Sequence, residues 1–529
     1  MRTLRRIAKI LSLWFIDPKT RAFIRFNQKT FRSFHQEKPE GEILVELYTV
    51  TQTVVCFAFF VNVLARRHRA SIRSFTFRTI PSIFYQLAFR KFVATYRSFN
   101  VVGHVNVRLS RAQRREKEVL LAEVLPQLRS KEDLILLNVR GIALGIEIYE
   151  TYLKEFELPT VDVGEPRFRE LMDYSLGALV FWTDYLRGKR VKAVVLSHGL
   201  YQYGILVKVA RHLNVPCYLP NIRGVTRIND TTRPGTPDFR KYPQVFASLP
   251  EARKAPALAL SEQKLRRRFS AEVGVDITHQ TKSPFDRSKG TGTVLQASNR
   301  HKVLIATHCF FDNPHCYGEN LFIDFWEWMN FLGRLSEELN YDWYLKTHPD
   351  VLPANGPVIE ALLRKFPKIR KVPQETSFQQ LIEEGLGTVL TVYGSVGHEL
   401  PLLGATVVNA GFNPHIAYDF NFHPQNLKEY LDLLGRLPEL KKAVRTEQVY
   451  EFYYVHYYLC VVDDLIVPSY RQLLKDVGSD PYDSPEVYAY FLEHTNLRMH
   501  EEAVAKFDWF LESDRTEFYD HQYRQARGL

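Results

Sequence analysis

Short apolar runs that each lead into a helical period punctuate most of this chain. Leu134–Val139 (LILLNV) precedes a helical pattern over Gly141–Lys154, and Ala193–Leu196 precedes one over Tyr201–Leu213. Val215–Leu219, Val303–Thr307, Trp343–Lys346, Thr388–Val392 and Thr406–Asn409 are further runs of the same kind. They do not alternate polar and apolar residues, as expected of strands covered on both faces. Strands alternating with helices predict βαβ units and parallel sheets, with ligands beyond the carboxyl ends of the strands. The polar segment Ser283–His301 separates two such halves and reads as a linker. From about Asn426 the pattern turns helical and aromatic, a tail expected to pack back across both domains. The predicted class is α/β, with two doubly wound Rossmann-like domains over 41–285 and 300–430. A helical extension over 1–40 and a helical tail over 431–529 flank them.

Leu47–Ala65 carries no formal charge and approaches the length of a membrane span. Thr49, Thr51, Gln52, Thr53 and Asn62 dilute it, so the favoured reading is a strand over Ile43–Tyr48, a loop, and a buried helix from about Thr51. The net charge of +11 is concentrated in residues 1–40, where ten Lys and Arg face Asp17, Glu37 and Glu40. Leu11, Leu13, Trp14, Phe15, Phe23, Phe26 and Phe31 interleave with those bases. That segment fits either a helix on the inner membrane surface or a helical extension packed on the core. A nucleic-acid partner would call for bases across a whole face of the fold, so none is expected. Five scattered cysteines suggest no disulfide framework, which with the absence of a signal-peptide pattern predicts a cytoplasmic protein.

Two segments carry the chemistry. In Tyr344-Leu-Lys-Thr-His-Pro-Asp350, Pro349 ends a strand and leaves Lys346 and His348 at its carboxyl end, where a phosphate could be met. In Leu390-Thr-Val-Tyr-Gly-Ser-Val-Gly-His-Glu399, a strand runs to Gly394 and a helix is expected to start at Ser395 as N-cap. A helix N-terminus there suits a diphosphate, Gly394 and Gly397 allow close approach, and Glu399 would accept from ribose hydroxyls. The segment His308-Cys-Phe-Phe-Asp312-Asn-Pro-His315-Cys316 holds metal-competent side chains but matches no zinc spacing. Asp312 and His315 are therefore read as donor- or acceptor-facing loop residues, with the donor preferred. No Walker A, Gly-X-Gly-X-X-Gly or Gly-X-Ser-X-Gly motif occurs, which leaves ATPase, dehydrogenase and serine-hydrolase readings without support.

Lys346-Thr-His-Pro349 and Gly394-Ser-Val-Gly-His-Glu399 resemble the motifs of the capsule and surface-polysaccharide glycosyltransferases of the two-domain GT-B fold. Within that fold they are similar to the HP-motif group, which includes capsular Kdo transferases, bacterial sialyltransferases and polyol-phosphate transferases. Thr307–Gly318 with Phe325-Trp-Glu-Trp328, Arg140–Leu153, and Ser197-His-Gly-Leu-Tyr-Gln-Tyr-Gly204 look like the same group. The resemblance implies a CMP- or UDP-linked sugar donor at the C-terminal domain, a glycan or lipid-linked acceptor at the N-terminal domain, and no further cofactor. It places His348, Ser395 and Glu399 on the donor. One departure is that Tyr393-Gly394 stands before a single Ser395, where the family often has paired hydroxyls. Transfer needs a base for the acceptor hydroxyl. Glu147, one turn from Glu150 on a predicted helix, is preferred, and His198 competes. Arg140, Tyr201 and Tyr203 are candidate acceptor contacts. No Asp-X-Asp motif stands at a strand end, so a metal-independent mechanism is expected. A nucleotide-sugar epimerase of the same fold and a non-catalytic polysaccharide-assembly protein are the alternatives.

Overall fold

The computed structural model describes residues 15–77, 89–229, 236–277, 280–288, 292–348, 352–478 and 483–529. The chain forms two compact units. The first comprises residues up to Tyr149, Asp162–Pro237 and Cys460–Leu529; the second comprises Glu150–Val161 and Asp238–Leu459.

In the first unit a six-stranded sheet has the order β3-β2-β1-β6-β7-β8. Its strands are β1 (Glu42–Glu46), β2 (Ser71–Phe75), β3 (Val101–Val105), β6 (Val191–Val195), β7 (Cys217–Asn221) and β8 (Gly224–Arg227). All neighbours are parallel except β7 and β8. A separate hairpin joins β4 (Asn138–Val139) to β5 (Ile142–Ala143). Its two turn residues, Arg140 and Gly141, both have positive φ, 56° and 82°, as a tight I′ turn requires. The run Leu134–Val139, expected as a strand, instead begins in a short helix, Lys131–Ile135. Ser130 and Asp133 close a reciprocal capping box there, and that local bonding wins over the apolar run.

The helix Thr51–His68 explains the charge-free stretch. It is apolar nearly all round because both sides are covered. It packs on the sheet and beneath the helices Pro485–His494 and Leu497–Glu512. Phe60 meets Tyr218 and Phe507 edge-on at 5.4 and 5.2 Å. The diluting Asn62 is satisfied: its amide donates to the Ala58 and Phe99 carbonyls and accepts from Asn100. Among the described residues no helix is long and apolar enough to cross a membrane.

Of the basic extension, residues 1–14 lie outside the described residues. The rest favours packing on the core. Asp17 caps the helix Pro18–Thr30 through the Thr20 N–H, with Pro18 at the first turn. Phe23 and Phe31 are fully buried in the first unit, and Phe23 stacks on Tyr488 at 4.2 Å.

The second unit has a five-stranded, wholly parallel sheet ordered β11-β10-β9-β12-β13. These are β9 (Lys302–Ala306), β10 (Asp342–Lys346), β11 (Ile369–Lys371), β12 (Leu386–Thr391) and β13 (Thr406–Asn409). Trp328, Trp343 and Tyr430 fill one face, and the Trp328 indole N–H donates to the Tyr430 hydroxyl at 3.0 Å. Phe285 and Leu295, from the segment read as a linker, are buried with Leu381 and Leu400 on the other face. Glu384 accepts from the Val294 and Leu295 N–H groups and fixes that segment to the unit. The expectation of two doubly wound α/β domains with helical ends holds.

The buried position of Phe23 makes a direct prediction. Phe23→Ala should lower unfolding stability by about 3–5 kcal/mol, whereas Phe15→Ala, at a residue 68% exposed, should stay within about 0.5 kcal/mol. Urea titrations of both variants check this.

Candidate functional site

In each sheet the first strand lies inside, so strand order reverses beside it: between β1 and β6 in one, and between β9 and β12 in the other. Ligands of open α/β sheets bind at the carboxyl ends of strands at such a reversal. Both reversals carry polar side chains.

At the first, Glu46 ends β1 and Ser197-His198 follow β6. The β1–β6 register, with Val45 opposite Val195, brings them together. The Ser197 N–H and hydroxyl both donate to Glu46 Oε2 at 2.7 Å, and Ser197 Oγ lies 2.7 Å from His198 Nδ1. Burial raises the Glu46 carboxyl to about 7, partly offset by the two Ser197 bonds. The Tyr96 hydroxyl donates to the Glu46 carbonyl and accepts from the Tyr48 N–H, which fixes the strand end. Tyr203 packs on the His198 ring at 4.4 Å and on Phe77 at 4.1 Å. Tyr201 stands at φ 55° immediately before the helix Gln202–His212, a strained backbone for a residue with a side chain. Tyr201, Tyr203 and His198 are thus brought together.

Glu147 and Arg140 have other roles. Glu147 is buried, with Lys208 Nζ at 3.5 Å. A Cβ at Gly204 would lie 2.4 Å from its Cγ, so helix Gln202–His212 packs directly onto this carboxylate. That placement anchors a helix, unlike the acceptor-facing base expected. Arg140 is exposed in its hairpin turn and pairs with Glu116. Glu150 is buried on His315, whose N–H and Nδ1 lie 3.1 and 3.2 Å from Oε1. Lys154 holds Asp312 at 2.8 Å. Asp312 and His315 thus have protein partners where donor contacts were expected. Among the described residues no three His, Cys, Asp or Glu are grouped to hold a metal ion.

At the second reversal His308 follows β9. Its Nε2 accepts from the Val392 N–H at 3.0 Å and lies 3.1 Å from Thr391 Oγ1. Phe325 stacks on it at 4.9 Å, and Tyr393 packs against it at 4.5 Å. Burial, with the nearby His348, lowers the imidazole to about 3, so His308 is neutral. The Gly394 N–H donates to Thr391 Oγ1. His348 is exposed beyond β10, and its carbonyl accepts from the Gln374 amide; Pro349 lies outside the described residues. Lys346 is buried, donates to the Gln374 carbonyl at 2.8 Å and is lowered to about 8 by burial.

The serine turn differs from expectation. Helix Val396–Glu399 is a single turn, and Ser395 is itself α-helical in backbone with no side-chain bond to a helix N–H. Its hydroxyl donates instead to Glu399 Oε2 at 3.2 Å. Glu399, expected on a ribose, is fully buried and ion-paired to Arg268. Arg268 in turn donates to Gln280 at 2.9 Å. Gly397 is pressed against His415, where a Cβ would come within 2.5 Å. Arg268 sits in the run Arg266-Arg267-Arg268, which reads as a solvated basic face, so the sequence hides its partner.

No protein-family model and no curated protein matches the chain. Among solved structures it is similar to KpsC of Thermosulfurimonas dismutans, a beta Kdo 2,4 transferase. The identity is 14% and the TM-score 0.29, over 51% of this chain and 80% of that one. It is also similar to UDP-GlcNAc 2-epimerase from Neisseria meningitidis (11% identity, TM-score 0.23, 85% and 98% covered). MurG of Acinetobacter baumannii is a third (11%, TM-score 0.19, 88% and 99%).

The neutral His308 gives a pH dependence with a defined sign. Between about 3 and 6.5 the folded chain binds fewer protons at this ring than the unfolded chain. Its contribution is therefore full above 6.5 and is lost as pH falls toward 3. Moving from pH 7 to pH 5 should cost the native protein about 1–2 kcal/mol more than it costs His308→Gln, read from thermal unfolding at the two pH values.

Proposed function

We propose that this protein is a glycosyltransferase that moves a sugar from a nucleotide-sugar donor to a surface polysaccharide or lipid-linked glycan. The observation that carries the reading is the Glu46–Ser197–His198 cluster at the strand reversal of the first unit, ringed by Tyr48, Tyr201 and Tyr203. An imidazole is a side chain able to take a proton from a hydroxyl, and tyrosine rings beside it suit the faces of a sugar. His198 is accordingly the base we assign, ahead of Glu147, which is already paired with Lys208.

The donor is assigned to the second unit. Support comes from exposed His348 at the end of β10, and from the Gly394–Ser395 turn at the end of β12. The matching motifs Lys346-Thr-His348-Pro349 and Gly394–Glu399 point the same way. In this reading Lys346 and Glu399 shape the donor site from beneath it. Lys346 holds the Gln374 segment beside His348, and Glu399 holds Ser395 and Arg268. The acceptor is assigned to the first unit.

Thermal unfolding with CMP, CDP, UDP, UMP, GDP and ADP tests the donor assignment. A nucleotide at 100 times its Kd should stabilise the native protein by about 2.7 kcal/mol, and His348→Ala should lose that shift. CMP selectivity would indicate Kdo or sialic acid donors, and UDP would indicate hexose or hexosamine donors. Absence of any shift at millimolar nucleotide would overturn the reading in favour of a polysaccharide-assembly protein.

A further inference from the structure

Glu46 is an expensive residue to keep. It is only 2% exposed and forms no ion pair with any described residue. Burying a carboxylate without a cation costs stability that its hydrogen bonds offset only in part. Its two side-chain bonds both come from Ser197, and the same Ser197 oxygen sits on His198 Nδ1.

A serine hydroxyl has one hydrogen. Above about pH 7, where the buried Glu46 is ionised, that hydrogen lies on Glu46 Oε2 and Ser197 Oγ can only accept from His198, so Nδ1 carries the ring proton. Nε2 then keeps its lone pair. The second bond to Glu46, from the Ser197 N–H, holds the carboxylate in place whichever way the hydroxyl turns. Tyr203 and Tyr201 fix the ring from the side. Among the described residues, the titratable groups that face His198 include Glu46, Tyr48, Tyr201 and Tyr203.

We infer that Glu46 is a positioning residue that, through Ser197, sets the tautomer of His198 so that Nε2 takes the proton of the acceptor hydroxyl. The inference rests on the glycosyltransferase reading and adds a residue to it. In the step, the acceptor O–H bond breaks and its proton goes to Nε2. The freed oxygen pair bonds the anomeric carbon of the sugar, and the bond from that carbon to the nucleotide phosphate breaks. The phosphate leaves with that electron pair. The imidazolium so formed is balanced by the Glu46 carboxylate across Ser197, and its proton passes to solvent after product leaves.

Nitrogen-15 NMR of the full chain labelled at histidine, without substrate and at mildly alkaline pH, reads the tautomer directly. His198→Gln identifies the signal. The wild type should show Nδ1 protonated and Nε2 bare. Ser197→Ala should move the population toward Nε2–H, and Ser197→Thr, which keeps the hydroxyl, should restore the wild-type pattern. An Nε2–H ring in the wild type, or a tautomer unmoved by Ser197→Ala in a protein that melts as the wild type does, would overturn the relay. In a transfer assay, Glu46→Gln should lower kcat by about 10–100-fold, with KM for both substrates unchanged. An unchanged kcat would equally overturn it. If no donor and acceptor pair supports transfer, the glycosyltransferase reading fails, while the NMR result still decides the Glu46–Ser197–His198 chain.

Discussion

The first strand of each sheet lies in the interior of its sheet, and this single topological fact organises the molecule. A chain that starts in the middle must build outward in one direction and then return to build in the other. Crossovers leaving the two sides diverge, so the strand ends at the reversal cannot be covered by one helix. Backbone and side chains there must find partners among themselves. In the first unit the solution is Ser197 bonded twice to Glu46. In the second it is the His308 ring accepting from Val392, and Thr391 accepting from Gly394. Both arrangements join side chains from strands far apart in sequence, at the place where a ligand of such a sheet belongs.

How much of this the sequence discloses depends on what each strand is exposed to. β6, β9, β12 and β13 are buried runs and are legible as such. β2, β3 and β11 carry Arg73, His104, Arg370 and Lys371 and lie at or next to an edge, so no apolar run betrays them. Leu134–Val139 has the right composition but the wrong neighbours: Ser130 and Asp133 nucleate a helix, and Leu136 is left 81% exposed. Of the candidate site, His198, Tyr201, Tyr203 and His348 are visible because they follow recognisable strands. Glu46 is hidden inside a strand pattern, where a lone carboxylate reads as an outward-facing residue. Its pairing depends on Ser197, about 150 positions away, which no local pattern can report.

The Arg268–Glu399 pair shows the same economy at another depth. Two buried charges are weakly stabilising at best once desolvation is counted, yet removing either leaves the other stranded. Here the pair also fixes Ser395 and Gln280. A turn of four residues, too short to be a self-supporting helix, is held in shape by a guanidinium from a distant helix. Shape in this region therefore comes from specific bonds more than from helix formation.

The division of the chain between the units has a consequence for its synthesis. Phe60 and Phe59 in the first unit are covered by Phe507 and Phe491, which come from its C-terminal segment. Between Pro237 and Cys460 the ribosome must make about 220 residues belonging to the other unit. At typical elongation rates that is roughly 10–45 s. Throughout that interval the apolar helix Thr51–His68 lacks the part of its cover that Phe491 and Phe507 supply. The nascent protein thus leaves apolar surface on that helix open until the last helices emerge.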